Sequence, residues 1–183
     1  MQPWEDDFRA HGYTNVYKLA YPFGNVLAAI NDVKAQAVAL PQPVVAYGIS
    51  AGGTIAAALA ASGDVAGAVN LIGPTDLVNW PAGATIMAGL DMTEEEKRAA
   101  SPLYRLSDVR PQLHQAGAAD PIVPYDQALR YHRAARRLQT DTTLQTFANA
   151  HGELEYERAN AHGQLEYERA HARKWVQARW PAQ

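Results

Sequence analysis

Strand-like and helix-like patterns alternate along most of the chain, and this alternation limits the fold more than any other feature of the sequence. Short strands are predicted at 43–48, 65–72, 111–117 and 142–147, although Gln112, His114 and Gln115 interrupt the apolar pattern of 111–117. Helical patterns are predicted at 54–61, at 125–138 and in the C-terminal stretch to Trp180. This spacing predicts an α/β fold, a mainly parallel sheet with helices on both faces. Sites in such sheets form beyond the carboxyl ends of the strands.

The N-terminal part carries the same two patterns. Residues 4–11 resemble the end of a helix before Gly12, and residues 14–21 alternate in a way that predicts a further strand. Asn25 is then expected to cap a helix that runs to about Leu40. One face of that helix carries the apolar residues Val26, Ala29, Ile30, Val33 and Ala37.

Composition excludes several classes of function. The chain has 183 residues and no cysteine, which predicts one domain (1–183) without disulfides, thiolate metal sites or thiol catalysis. Its net charge of −3 gives no sign of nucleic acid or an anionic membrane as a partner. Neither a signal-sequence pattern nor a membrane-spanning apolar run is visible, so a soluble cytoplasmic protein is expected. No His, Asp and Glu cluster has metal-ligand spacing, and no cofactor is implied.

A Gly-x-Ser-x-Gly motif, Gly48–Gly52 (GISAG), lies between a predicted buried strand and a predicted helix. In that context the motif indicates a sharp strand-to-helix turn that exposes the serine hydroxyl. The backbone N–H of Ala51 would then lie at the helix N-terminus, where it can stabilise an oxyanion. We therefore predict that Ser50 is a nucleophile and that Ala51 is one oxyanion donor.

A serine nucleophile needs a base, usually a histidine, that a carboxylate orients. With a strand–elbow–helix nucleophile, the acid follows the serine in the chain and the histidine comes last. Asp120 follows a predicted strand in the stretch 117–124 (GAADPIVP), so it is the predicted acid. Asp76, after the preceding strand, is the alternative.

The base is present twice. Residues 148–158 (ANAHGELEYER) are followed at once by 159–169 (ANAHGQLEYER), and the copies differ only at Glu153 and Gln164. This tandem duplication, 148–169, gives two candidate bases, His151 and His162. Eleven residues make almost three helical turns, so a helix lengthened by one copy would present the same face to within about 20°. Alternatively, the first copy loops out and His162 is the base. We favour His151, which directly follows a predicted strand, and His162 remains the alternative.

Four segments occur in an order that resembles the small esterases of the α/β-hydrolase superfamily, particularly the dienelactone-hydrolase-like and feruloyl-esterase-like members. The segments are 47–53 (YGISAGG), 70–77 (NLIGPTDL), 100–103 (ASPL) and 119–124 (ADPIVP). The resemblance implies an ester hydrolase with Ser50 as nucleophile, Asp120 as acid and His151 or His162 as base. It implies carboxylic ester cleavage through an acyl-enzyme on a small-molecule ester.

The chain departs from that family at its N-terminus. Such enzymes begin with further strands and a His-Gly-Gly-type loop that supplies the second oxyanion donor, and this sequence is expected to start at the helix after that loop. A sheet edge is then left open. The chain is then expected to be a minimal version of the fold, a fragment, or a chain whose open edge a partner covers. A homodimer could form through that edge or through an extended C-terminal helix.

Residues 74–104 are less regular, and they are read either as a small cap over the site or as a surface excursion. Within them, Thr93 and Glu96 form a capping-box pattern that predicts a helix start. Two other functions stay open beside ester hydrolysis. One is a catalytically weak or inactive binding protein, because the sequence shows no loop that supplies the second oxyanion donor. The other is acyl transfer or elimination with the same triad.

Overall fold

A computed structural model of the chain describes residues 2–81, 90–148 and 164–182. From residue 26 onward, helices and strands alternate through these ranges as the sequence predicts. The helices are α1 (Gln2–Ala10), α2 (Val26–Val38), α3 (Ala51–Ala61), α4 (Glu94–Ala100), α5 (Tyr125–Arg137) and α6 (Gln164–Gln177), with a 3-10 turn at Pro102–Tyr104. The strands are β1 (Val45–Ile49), β2 (Gly67–Leu71), β3 (Gln112–Gly117) and β4 (Thr142–Phe147).

Within the described ranges the four strands form one parallel sheet in the order β1-β2-β3-β4. Ile49 pairs with Leu71 at one junction, and Gly117 pairs with Phe147 at another. All four carboxyl ends therefore face the same edge of the sheet, and this confirms the predicted α/β architecture.

Apolar clusters cover both faces of the sheet. Helices α2 and α3 pack on one face, where Ile30 and Leu59 are fully buried. Helices α1 and α6 pack on the other face, where Trp4 and Trp175 lie over Val69. Burial of these side chains is the main favourable contribution to folding, at about 25 cal/mol for each Å² of apolar surface.

The predicted helix starts are confirmed. The Asn25 side chain accepts a hydrogen bond from the N–H of Ala28 at 3.0 Å and caps α2. Thr93 and Glu96 form the expected capping box at the start of α4. The buried residues of α2 are the five that the apolar periodicity picks out: Val26, Ala29, Ile30, Val33 and Ala37.

The strand predicted at 14–21 is wrong. The structure assigns no strand there, because the backbone carbonyls of this segment bind side chains instead of a neighbouring strand. Arg9 Nη2 donates to Val16 O at 2.6 Å, and Gln36 Nε2 donates to Ala20 O at 2.8 Å. Alternation alone cannot form a strand without a partner that supplies the ladder hydrogen bonds.

Two predictions lie wholly or partly beyond the described residues. The stretch 74–104 is described only up to 81 and from 90, so its reading as a cap stays a prediction. Most of the duplication 148–169 also lies outside the described ranges. A search of the described helices finds none with both the length and the apolar character to cross a bilayer.

Candidate active site

Ser50 occupies a strained turn at the carboxyl end of β1. Its backbone angles are φ 51° and ψ −120°, outside the regions that L-residues ordinarily adopt. A side chain at Gly48 would overlap the backbone of Gly52, so only glycine fits at that position. The Ser50 N–H donates to Leu71 O at 2.9 Å, which fastens the turn to the end of β2. The turn has the strained geometry and position expected of a nucleophile elbow.

The first turn of α3 begins directly after the elbow. Ala51 is the first residue of this helix, and the Ser50 side chain does not act as its N-cap. The first backbone N–H groups of a helix have no partner inside the helix, and they carry the positive end of its dipole. The Ala51 N–H therefore lies where the sequence predicted an oxyanion donor.

A small cavity, here called the elbow cavity, opens beside Ser50 and has a volume of about 70 Å³. Its walls come from the segment before α2, the starts of α2 and α3, and the loop after β2. Apart from Ser50, Thr54 and Asn25, the lining consists of glycine, alanine, proline, aliphatic and aromatic residues: Tyr21, Pro22, Phe23, Gly24, Val26, Ala29, Ala51, Ile55, Pro74, Leu77, Trp80 and Leu90. No charged side chain belongs to this described lining.

Tyr21 is a site residue that the sequence reasoning missed. Its hydroxyl oxygen lies 3.4 Å from the point where a Cβ on Gly52 would lie, so it sits beside the first turn of α3. Tyr21 also lines the elbow cavity together with Ser50 and Ala51. No local sequence pattern marks this contact, which joins residues about 30 positions apart in the chain.

Asp120 lies in the loop between β3 and α5 and is only 6% exposed. Its Oδ1 accepts hydrogen bonds from the N–H groups of Ile122 (2.9 Å) and Val123 (2.8 Å), which fix the carboxylate in one orientation. Trp80 Nε1 donates to Ile122 O at 2.6 Å and ties this loop to the wall of the elbow cavity. An acid held rigidly in this way can orient a histidine base.

Asp76, the alternative acid, is fully buried but engaged elsewhere. Its Oδ2 accepts hydrogen bonds from Arg130 Nη1 and from Asn79 Nδ2, both at 2.8 Å. Gln127 Oε1 accepts from the Asp76 N–H, also at 2.8 Å. These contacts hold the loop after β2 against α5 and give Asp76 a structural role.

Both candidate bases, His151 and His162, lie outside the described residues, so the choice between them stays a prediction. The segment that carries them follows Phe147, the last residue of β4. The Ala118 N–H donates to Phe147 O at 2.7 Å, so β4 ends next to the loop that holds Asp120.

Three histidines in the described part of the chain, His11, His114 and His132, do not line the elbow cavity. His11 Nδ1 lies 2.7 Å from Asp7 O on α1, and His132 Nδ1 lies 2.9 Å from Thr142 Oγ1. His114 is fully buried in β3. No group of three or more His, Asp or Glu side chains in the described part of the chain is arranged to hold a metal ion.

Solved structures with this fold include several esterases. An esterase of the planctomycete Thermogutta terrifontis, bound to butyrate, superposes with a TM-score of 0.69 at 20% identity, over 89% of this chain and 71% of that one. A truncated carbohydrate esterase from gut microbiota gives 0.55 at 20% identity, over 69% and 60% of the two chains.

An acylaminoacyl peptidase from Pyrococcus horikoshii superposes with a TM-score of 0.62 at 18% identity, over 83% of this chain and 26% of that one. These likenesses establish the α/β-hydrolase fold. No curated protein sequence matches the chain. The model of the prolyl oligopeptidase family matches residues 6–178, nearly the whole length. The chain therefore belongs to the prolyl oligopeptidase family, the serine hydrolases of which share the α/β-hydrolase fold.

Proposed function

We propose that this protein hydrolyses carboxylic esters with a short, uncharged acyl group, through an acyl-enzyme on Ser50. One observation carries the proposal: the strained Ser50 turn opens onto a small cavity whose described lining carries no charge. A charged acyl group would lose its hydration there without gaining a partner. The Thermogutta esterase, with the same fold, has been solved with butyrate and with propionate bound, which supports an acyl group of this kind.

The proposed reaction has two stages. Ser50 Oγ attacks the ester carbonyl while His151 or His162 takes its proton and Asp120 stabilises the resulting imidazolium. The carbonyl oxygen becomes an oxyanion that the Ala51 N–H stabilises. The imidazolium returns its proton to the departing alkoxide, so the alcohol leaves and Ser50 carries the acyl group. Water, deprotonated by the same histidine, then releases the carboxylic acid and restores the hydroxyl.

Acyl length provides the test of this proposal. We expect p-nitrophenyl acetate and butyrate to be hydrolysed with a kcat/KM at least about tenfold above that of the octanoate, because a single misfit methylene group is worth ~1–3 kcal/mol. Preference for the octanoate, or no turnover of any of the three, would contradict it. Single and double alanine variants of His151 and His162 in the same assay identify the base.

Peptide hydrolysis is the second candidate, and membership of the prolyl oligopeptidase family favours it. An amide has a poorer leaving group than a p-nitrophenyl ester, so its cleavage depends more on protonation of the leaving nitrogen by the imidazolium. The described lining of the elbow cavity contains no carboxylate to receive the α-ammonium group of a peptide. Matched p-nitrophenyl esters and p-nitroanilides of one acyl group separate the two activities.

We further propose that the Tyr21 hydroxyl supplies the second oxyanion donor. It lies beside the first turn of α3 and lines the cavity that Ser50 and Ala51 also line. The variant Tyr21→Phe keeps the ring and removes only the donor. We expect kcat to fall about 10²-fold with little change in KM, because an oxyanion donor acts on the transition state. Steady-state kinetics on p-nitrophenyl butyrate measure both constants.

The control for Tyr21 is Tyr104→Phe, which removes the hydroxyl of a partly exposed tyrosine in the 3-10 turn outside the elbow cavity. This variant is expected to keep the wild-type kcat. If Tyr21→Phe loses less than about threefold in kcat, the second donor comes from elsewhere.

A further inference from the structure

Asn70 is a polar side chain buried under the nucleophile elbow. It lies on β2 and is only 2% exposed. Burying an amide is costly unless its donors and acceptor are hydrogen-bonded. Its partners show why an amide is placed there.

The Asn70 amide closes the turn that follows β2. The Gly73 N–H donates to Asn70 Oδ1 at 2.8 Å, and Asn70 Nδ2 donates to Gly73 O at 3.1 Å. The turn includes Ile72, a β-branched residue at φ 51°, which is a strained conformation for such a residue. The side chain of Asn70 thus compensates a turn that the backbone alone disfavours.

This turn is in direct contact with the elbow. Leu71 O accepts the N–H of Ser50 at 2.9 Å. A Cβ on Gly73 would lie only 2.6 Å from Ser50 O, and a Cβ on Gly53 would overlap Asn70 Oδ1. The Asn70 turn and the first turn of α3 therefore pack directly against each other, with Gly53 and Gly73 at the points of contact. A shift in one turn displaces the other.

A buried chain of hydrogen bonds fixes which way the amide of Asn70 faces. Asn70 Nδ2 lies 3.3 Å from His114 Nδ1, His114 Nε2 lies 3.1 Å from Gln112 Oε1, and Gln112 Nε2 donates to the Tyr131 hydroxyl at 2.5 Å. Burial lowers the pKa of His114 to about 3, so its ring is neutral and carries one proton near neutral pH. With that proton on Nε2, Nδ1 accepts from Asn70.

We propose that Asn70, oriented by His114, is a positioning residue for Ser50. Its amide holds the turn that receives the Ser50 N–H, and so keeps the Ser50 hydroxyl and the Ala51 N–H in the geometry that attack requires. Asn70 does not itself line the elbow cavity. The proposal rests on the proposed function of Ser50, and it adds a residue that acts through the elbow.

The test is Asn70→Asp, which keeps the shape and the acceptor for the Gly73 N–H but, when ionised, loses both donors. We expect kcat on p-nitrophenyl butyrate and the rate of Ser50 labelling by a fluorophosphonate to fall by about 30- to 100-fold. KM should stay within about twofold, because small misplacements of a reacting group act on the chemical step. Should this variant not fold, Asn70→Ser replaces it, with the same expected direction.

The matched control is Thr142→Val. Thr142 is 5% exposed at the first residue of β4, at the opposite end of the sheet from the elbow, and its Oγ1 lies 2.9 Å from His132 Nδ1. This variant removes a partly buried hydrogen bond, so its unfolding midpoint should fall while the labelling rate stays at the wild-type value. A purely structural Asn70 would behave in the same way.

The outcomes separate the two proposals. Wild-type protein that is folded but does not label contradicts the proposed function itself. Wild-type protein that labels, together with an Asn70→Asp or Asn70→Ser variant that labels equally fast, overturns only the positioning role. A labelling rate reduced at unchanged KM, with Thr142→Val unaffected, supports it.

Discussion

Replacing Ser50 with alanine is expected to lower kcat on p-nitrophenyl butyrate by at least about 10⁴-fold, close to the loss of all triad catalysis. The reason is that the Ser50 hydroxyl forms the acyl-enzyme in the proposed mechanism. Alanine at this position keeps the backbone of the elbow and removes only the nucleophile. Initial rates over a range of substrate concentrations measure the loss.

The chain offers a matched serine control at the other end of the same helix. Ser62 is the C-cap residue of α3, and its hydroxyl donates to Ala58 O at 2.8 Å. Ser62→Ala should lose a little stability and keep the wild-type kcat. An Ser50→Ala variant that retains more than about a tenth of the wild-type kcat would show that Ser50 is not the nucleophile.

Changing Asp120 to asparagine is expected to lower kcat by about 10⁴-fold while leaving the fold intact. Asparagine Oδ1 can still accept from the N–H groups of Ile122 and Val123, which lie 2.9 and 2.8 Å from the Asp120 oxygen. It removes the negative charge that stabilises the imidazolium, and its NH₂ group favours the wrong tautomer of the histidine. Steady-state kinetics and the unfolding midpoint together show that chemistry is lost and structure is kept.

Asp76→Asn is the control that distinguishes the two acids. It weakens the contact between Asp76 Oδ2 and Arg130 Nη1 at 2.8 Å. We expect the free energy of unfolding to fall by about 1–3 kcal/mol, with kcat within about threefold of wild type. If Asp76→Asn abolishes turnover and Asp120→Asn does not, the assignment of the acid is reversed.

The parts of the fold that depend on local pattern were predictable from the sequence. The apolar spacing of α2 identified its five buried residues, because helical periodicity and burial are coupled residue by residue. The capping box at Thr93 was equally predictable, since its two hydrogen bonds join residues three apart. Likewise, strands β1 and β2 follow from short apolar runs between turn signals.

The incorrect strand at 14–21 shows where local pattern fails. Its alternation is real, but a strand also needs a partner across the ladder, and pairing is a long-range property. In the structure, the carbonyls of Val16 and Ala20 accept from side chains on α1 and α2 instead. Both donors lie outside the segment 14–21, so its own residues do not reveal these hydrogen bonds.

In the candidate site, too, features set by local sequence were predictable and features set by long-range contacts were not. The turn at Ser50 and the loop position of Asp120 were predictable, because a glycine-bounded turn and a proline-bounded loop mark them locally, while their catalytic roles stay predictions. Tyr21 and Asn70 were not, because each meets the elbow from a distant part of the chain: Tyr21 beside Gly52, and Asn70 against Gly53. A single polar residue in an apolar stretch looks the same in the sequence whether it contacts an active site or is an ordinary buried residue.

The site of covalent modification by a fluorophosphonate on the wild-type chain shows whether Ser50 is the nucleophile. We expect one adduct per chain by intact mass, located on Ser50 by peptide mapping and absent from Ser50→Ala. A folded protein that remains unmodified, or an adduct on any other residue, would contradict it.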